Sequence, residues 1–405
     1  MSNLSTHAGN MISVERKLVG FDNFKRSNPR SDKFEMHCFH HVEFYCSDST
    51  NVSRRFSFAL GIPIVASSNA ASGNFSYAST VMKSHSLCFV FTAPYGVSFS
   101  QKMSDESSPP HPGYDVENAH NFVRGKCELL HCKRDEIALL IESSYINLSI
   151  DHGLAVRAIA IRVADASEAY EISTGNGAIG VLPPQSLTDK STGSTMVISE
   201  IKMFGDVVIR WLSGSFSGPM LPNYRTTEVA NGADDSNFGI LRLDHSVSNV
   251  PNLFDAVDYL IGATGMHEFA EFASEDIGTL DSGLNSMVVA NNNEMVLLPI
   301  NEPTFGTKRQ SQIQTYLDHN GGAGLQHLAL LSEDIFATVR QMKIRSDVNS
   351  PAGFGGGFEF MPAPSADYYT RAATRIGEKV LSEMQWKELQ ELGILADKDD
   401  QVSFK

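Results

Sequence analysis

Four times along the chain, a run of alternating apolar and polar side chains gives way to apolar positions three and four apart. That change of period from 2 to 3.6 marks a half-buried strand followed by an amphipathic helix. The first unit is Phe39–Tyr45, then Asp48 and a helix from Val52 to Leu60. The second is Val156–Ile161, then Asp165 and a helix from Ser167 to Ile172. The third is Leu241–Val247, then Asn249 and a helix from Leu253 to Ile261. The fourth is Leu325–Leu330, then Ser332 and a helix from Asp334 to Met342. Each break offers Ser, Asp or Asn, whose side-chain oxygens cap free backbone N–H groups at a helix start. Further strand-like runs follow at Leu87–Thr92, Met196–Phe204, Val207–Leu212, Met287–Val289 and Met295–Ile300. A repeated strand–helix–three-strand unit predicts an α+β architecture, four βαβββ modules paired into two domains.

Around that frame, residues 1–34 carry no such period and are expected to be a disordered N-terminal segment. An N-terminal domain is expected over 35–212 and a C-terminal domain over 240–405. The Gly-, Pro-, Ser- and Asn-rich stretch 213–239 reads as the linker between them. His41 and Ala158 lie 117 residues apart, whereas His245 and His327 lie 82 apart, so the first half carries about 35 extra residues. Ordinary connections run to about 4–6 residues, so the stretch from about 104 to 151 reads as an insert, with a charged helical candidate at Lys133–Glu142. Ser350–Gly357 reads as a second, flexible one.

The composition narrows the function classes. At 405 residues there is room for two or three cores. The 32 basic and 47 acidic residues leave a net charge of −15, which opposes a binder of nucleic acid, since that needs a basic face. No apolar run reaches the length of a transmembrane helix, so no membrane association is expected. Met1–Val14 has no secretory apolar core, which points to the cytoplasm, with a plastid as the other compartment given its Ser-containing, acid-free start. Five cysteines without a CxxC spacing suggest a reducing compartment and no Cys-based zinc site.

Aligned on their opening strands, the modules place His41, Ala158, His245 and His327 at one equivalent position. The second half thus has an imidazole at both of its equivalent positions, and two imidazoles plus a carboxylate make the facial triad of non-haem iron enzymes. His41 faces Ala158 in this scheme and reads as a packed histidine. Ser286, Asn301, Gln312 and Gln326 read as polar residues embedded in apolar strands, and buried polar groups there suggest a cavity facing a ligand. The alternative is that they cap loops or sit at strand edges.

The strings Leu243-Asp244-His245, Glu268-Phe269-Ala270-Glu271-Phe272, Gly283-Leu284-Asn285-Ser286, Leu298-Pro299-Ile300-Asn301-Glu302-Pro303, Ser311-Gln312-Ile313-Gln314-Thr315-Tyr316 and Gly324-Leu325-Gln326-His327 resemble the 4-hydroxyphenylpyruvate dioxygenases, most of all the plant form. Phe39-His40-His41-Val42-Glu43-Phe44 and Asn51-Val52-Ser53-Arg54-Arg55-Phe56 resemble the N-terminal half of that family. The resemblance implies a vicinal-oxygen-chelate fold with a structural first domain and a catalytic second one. It implies Fe(II) as cofactor, 4-hydroxyphenylpyruvate and O2 as substrates, homogentisate and CO2 as products, and a homodimer. Carried over by position, His245 and His327 match the iron ligands, and Ser286, Asn301, Gln312 and Gln326 match residues around the keto acid. The family's third ligand is a glutamate on the last strand of the fourth module, beyond Gln401. The chain stops at Lys405, so the last module is expected to be incomplete and that ligand absent, which would impair turnover. Glu359 is read as lying on an early strand, in the wrong place to substitute. Two other readings stay open: a 4-hydroxymandelate synthase, which shares the iron site, and a non-catalytic association module.

Overall fold

The structure, a computed structural model, describes residues 16–124, 152–227, 238–274, 283–306, 308–353, 355–377 and 380–396. Its first unit is β1 (Met36–Tyr45), α1 (Ser49–Leu60), β2 (Ile64–Ser68), β3 (Tyr77–Ser84) and β4 (Leu87–Pro94). Two helices follow, α2 (Val97–Lys102) and α3 (Val116–Arg124). The second unit is β5 (Ala155–Val163), α4 (Ala166–Gly175), β6 (Gly180–Thr188), β7 (Thr195–Phe204) and β8 (Val207–Gly214). A short β9 (Arg225–Thr226) lies in the stretch read as a linker and pairs with β2. The third unit is β10 (Ile240–Asn249), α5 (Leu253–Thr264), β11 (His267–Phe272), β12 (Leu284–Ala290) and β13 (Leu297–Pro303). After α6 (Gln312–Asn320), the fourth opens with β14 (Gly324–Ser332) and α7 (Ile335–Ser346), followed by α8 (Ala366–Ile376) and α9 (Glu383–Leu392).

The strands form two sheets. The first runs β6-β7-β8-β5-β1-β4-β3-β2-β9, the second β11-β12-β13-β10-β14. In each of the first three units the opening strand pairs in parallel with the closing one, β1 with β4, β5 with β8 and β10 with β13. Within each half the opening strands of its two units pair antiparallel, β1 with β5 and β10 with β14. Among the described residues β14 pairs with β10 alone.

Local chemistry explains the element starts. Asp48 accepts hydrogen bonds from the backbone N–H of Thr50 and Asn51, and Asp165 does the same for Ser167 and Glu168. The third and fourth helices are capped by Asn252 and Asp334, not by Asn249 and Ser332. The latter two are still paired in the sheet, Asn249 with Gly324 and Ser332 with Ile240, so the strands extend further than the polar break suggested. Glu359 lies in irregular chain, not on a strand.

One apolar core runs through both halves, from Phe34, Phe89 and Trp211 to Leu253, Val289 and Leu298. Within the insert, α3 seats Ala119, Phe122 and Val123 against Tyr45, with Tyr114 alongside. Residues 125–151, with the helical candidate Lys133–Glu142, lie outside the described residues. The expected disorder of 1–34 does not hold for its described part. Residues 16–34 lie as a strap on the second half, where Lys33 N donates to Thr264 O at 2.9 Å and Asn28 Nδ2 to Asn292 O at 2.9 Å. No described helix is long and apolar enough to cross a membrane.

Candidate functional site

His245 sits on β10 and His327 on β14, neighbouring antiparallel strands in which Val247 faces His327 and His245 faces Ala329. Their rings lie 6.0 Å apart at 73°. Each imidazole has its Nδ1 engaged by its preceding residue. The His245 ring bonds Asp244 Oδ2 at 3.0 Å, and the His327 ring bonds Gln326 Oε1 at 2.9 Å. Both acceptors are oxygens, so in the neutral ring Nδ1 carries the hydrogen and Nε2 keeps its lone pair. Burial pushes His327 below the usual histidine range, with the neighbouring His245 acting the same way, and this favours the neutral ring. The hydrogen bond from His245 holds the Asp244 carboxyl below its ordinary range, and Arg242 Nη2 pairs with the same carboxylate at 3.0 Å.

Both histidines line a cavity of about 640 Å³ on the face of the second sheet. Strand alternation delivers its other polar groups. Ser286 on β12 and Asn301 on β13 are register partners and face the cavity, whereas their neighbours Asn285 and Glu302 bond each other at 2.8 Å on the opposite face. Asn301 Nδ2 also reaches Asn249 Oδ1 at 3.3 Å. Gln312 arrives differently from the strand expected for it. It is the first residue of α6, which Ser311 caps by accepting from Ile313 N and anchors by donating to Gly283 O at 2.8 Å. The cavity therefore brings together all six residues singled out from the sequence, His245, His327, Ser286, Asn301, Gln312 and Gln326.

Two imidazoles on adjacent strands with free Nε2 atoms suit a divalent first-row metal as two of its ligands. Among the described residues, no group of three His, Cys, Asp or Glu is placed to hold a metal ion.

The equivalent place in the first half is filled instead. There His41 faces Ala160 and Ala158 faces Glu43, the same register as in the second half. Arg210 of β8 enters between them, its Nη1 donating to His41 Nε2 at 2.8 Å, its Nη2 to Glu43 Oε2 at 2.7 Å and its Nε to Glu200 Oε1 at 2.7 Å. Burial and the adjacent guanidinium hold His41 well below its ordinary range, so it is a neutral core histidine.

Among the lining residues not singled out from the sequence are Phe21 and Arg26 of the strap. Phe21 stacks on Phe272 with centroids 4.9 Å apart, and the Arg26 guanidinium lies 3.6 Å from the centroid of Phe269. The strap has no periodic apolar pattern, so nothing in the sequence signalled its place.

No family model matches the chain. It is 47% identical over 399 residues to a 4-hydroxyphenylpyruvate dioxygenase of Daucus carota, covering 98% of the chain and 81% of the relative. A protein of the same description from Arabidopsis thaliana is 47% identical over 390 residues, covering 95% of the chain and 79% of the relative. Among solved structures, a substituted 4-hydroxymandelate synthase from Streptomyces coelicolor matches with a TM-score of 0.63 at 18% identity, over 90% of the chain and 86% of that protein. A fusion of a xylose isomerase-like TIM barrel with a 4-hydroxyphenylpyruvate dioxygenase matches at 0.54 and 14% identity, over 93% of the chain and 47% of the fusion. At these identities the structural matches speak for the fold, the vicinal-oxygen-chelate type.

Proposed function

Because the chain belongs to the 4-hydroxyphenylpyruvate dioxygenase family, we infer that it is a dioxygenase converting 4-hydroxyphenylpyruvate and O2 to homogentisate and CO2. The reaction belongs to tyrosine breakdown and to the supply of plastoquinone and tocopherol precursors. The observation that carries this at the site is the pair of imidazoles, each anchored through Nδ1 to a side-chain oxygen, on the wall of a substrate-sized cavity.

In this reading His245 and His327 would hold Fe(II), which when bound would supply the Lewis-acid and redox centre for the 2-oxo acid and O2. The second ring nitrogens, tied to Asp244 and Gln326, fix the orientation of both imidazoles. Ser286 and Asn301, side by side on β12 and β13, offer a hydroxyl and an amide to the polar groups of the substrate. Gln312, at the start of α6, offers a third from above the sheet. Val247, Leu284 and Pro299 line the space between and exclude water from the ring. We further infer a homodimer, which light scattering would show as twice the mass of the chain.

The test is anaerobic loading of the chain with Fe(II), then product analysis after mixing with 4-hydroxyphenylpyruvate and O2. Homogentisate supports the reading, and 4-hydroxymandelate would replace it with the synthase activity. Neither product, with no iron retained, would favour a non-catalytic association module.

A further inference from the structure

The cavity runs across the second sheet from an imidazole end to an aromatic end. His245 stands on β10, whereas Phe269 and Phe272 stand on β11, three strands away in the order β11-β12-β13-β10. The aromatic end is not built by the second half alone. Phe21 lies flat on Phe272, at an interplanar angle of 8°, and Arg26 lies over Phe269 while forming an ion pair with Glu294.

The strap that brings these residues in is held along its length. The Glu271 carboxylate accepts from Gly20 N at 2.9 Å, and also from Val19 N. Gly20 itself has φ +83°, a conformation that suits glycine, and its carbonyl accepts from Phe24 N at 3.0 Å to turn the chain back over the sheet. Beyond Arg26, Arg30 Nη1 donates to Asn292 O at 2.7 Å and Asn292 N donates to Asp32 Oδ2 at 2.8 Å. Anchors on both sides of Phe21 and Arg26 make a fixed wall.

We propose that Phe21 and Arg26 are specificity-determining residues for the aryl group of the 2-oxo acid. Phe21 presents a ring face to that group, and Arg26 acts as a positioning residue that holds the Phe269 ring in place by stacking and by its pair with Glu294. This deepens the dioxygenase reading and rests on it.

The test uses the whole chain with Phe21→Ala, Arg26→Ala and Arg26→Lys. One readout is kcat/KM for 4-hydroxyphenylpyruvate relative to indole-3-pyruvate, a bulkier aryl 2-oxo acid. The other is the anaerobic Kd of 4-hydroxyphenylpyruvate for the Co(II)-loaded protein, followed through the cobalt absorption bands. Phe21→Ala should lower the selectivity ratio at least fivefold, mainly through KM. Arg26→Ala should raise the Kd at least threefold, and Arg26→Lys should behave like it, because lysine keeps the charge but not the planar stack. If Phe21→Ala does not fold, Phe21→Leu keeps the apolar bulk, removes the ring stack and should show the same loss of selectivity. Ratios and Kd values all within twofold of the unaltered chain would overturn the proposal while leaving the dioxygenase reading intact. No binding of 4-hydroxyphenylpyruvate by the unaltered Co(II) protein would overturn both.

Discussion

Arg210 is fully buried and answers to two carboxylates and an imidazole, those of Glu43, Glu200 and His41. Replacing it by Ala leaves two acids buried without their cation, and such losses run to about 3–5 kcal/mol. Urea unfolding at pH 7 should show a destabilisation of that order. Burial pushes Glu200 up, but Arg210 and His111 hold it well below the usual carboxylate range. A depressed folded value contributes stability above the unfolded value of about 4.5, lost as the pH falls below it. The unaltered chain should therefore lose stability on acidification from pH 5 downwards, and Arg210→Ala should lose less. Asp32 behaves in the opposite sense, since burial raises its carboxyl to about 6. Its contribution is full below the unfolded value of 3.8 and fades as the pH rises through about 6. Asp32→Asn should flatten the stability profile between pH 4 and 6, as read by melting curves across that range.

Helix starts show how far local chemistry reaches. Asp48 and Asp165 were legible as caps because an acidic side chain followed by an apolar helical period leaves few alternatives. Asn249 and Ser332 misled because both lie in strands that continue past the last alternating residue, a matter of sheet pairing rather than propensity. Gln312 was read among strand residues, although Ser311 followed by Ile313 and Leu317 at a spacing of four is a capped helix start. Ser311 joins both ends of this arrangement, capping α6 and binding Gly283 O. Ser311→Ala should lower stability by about 1 kcal/mol, the usual worth of a cap, and should raise KM as Gln312 loses its fixed place. Thermal melts and steady-state kinetics on the same variant check the two effects.

At the scale of the whole molecule, the internal repeat was the most informative signal. Matching registers, His41 to Ala160 in one half and His245 to Ala329 in the other, place a histidine pair at the seam of the second half and an arginine-filled seam in the first. Nothing in the sequence indicated that a strap before β1 would cross to the other half, because its hold comes from scattered hydrogen bonds, an ion pair and single stacked rings. Such contacts leave no period in a sequence.

The proposed chemistry requires His245 and His327 to act together as ligands, and iron stoichiometry tests this most directly. At a fixed anaerobic Fe(II) concentration, equilibrium dialysis of the unaltered chain should show bound Fe(II) rising towards one per chain. His245→Ala and His327→Ala should each retain less than a tenth of that while melting as folded proteins. Iron retained equally by all three would contradict the account.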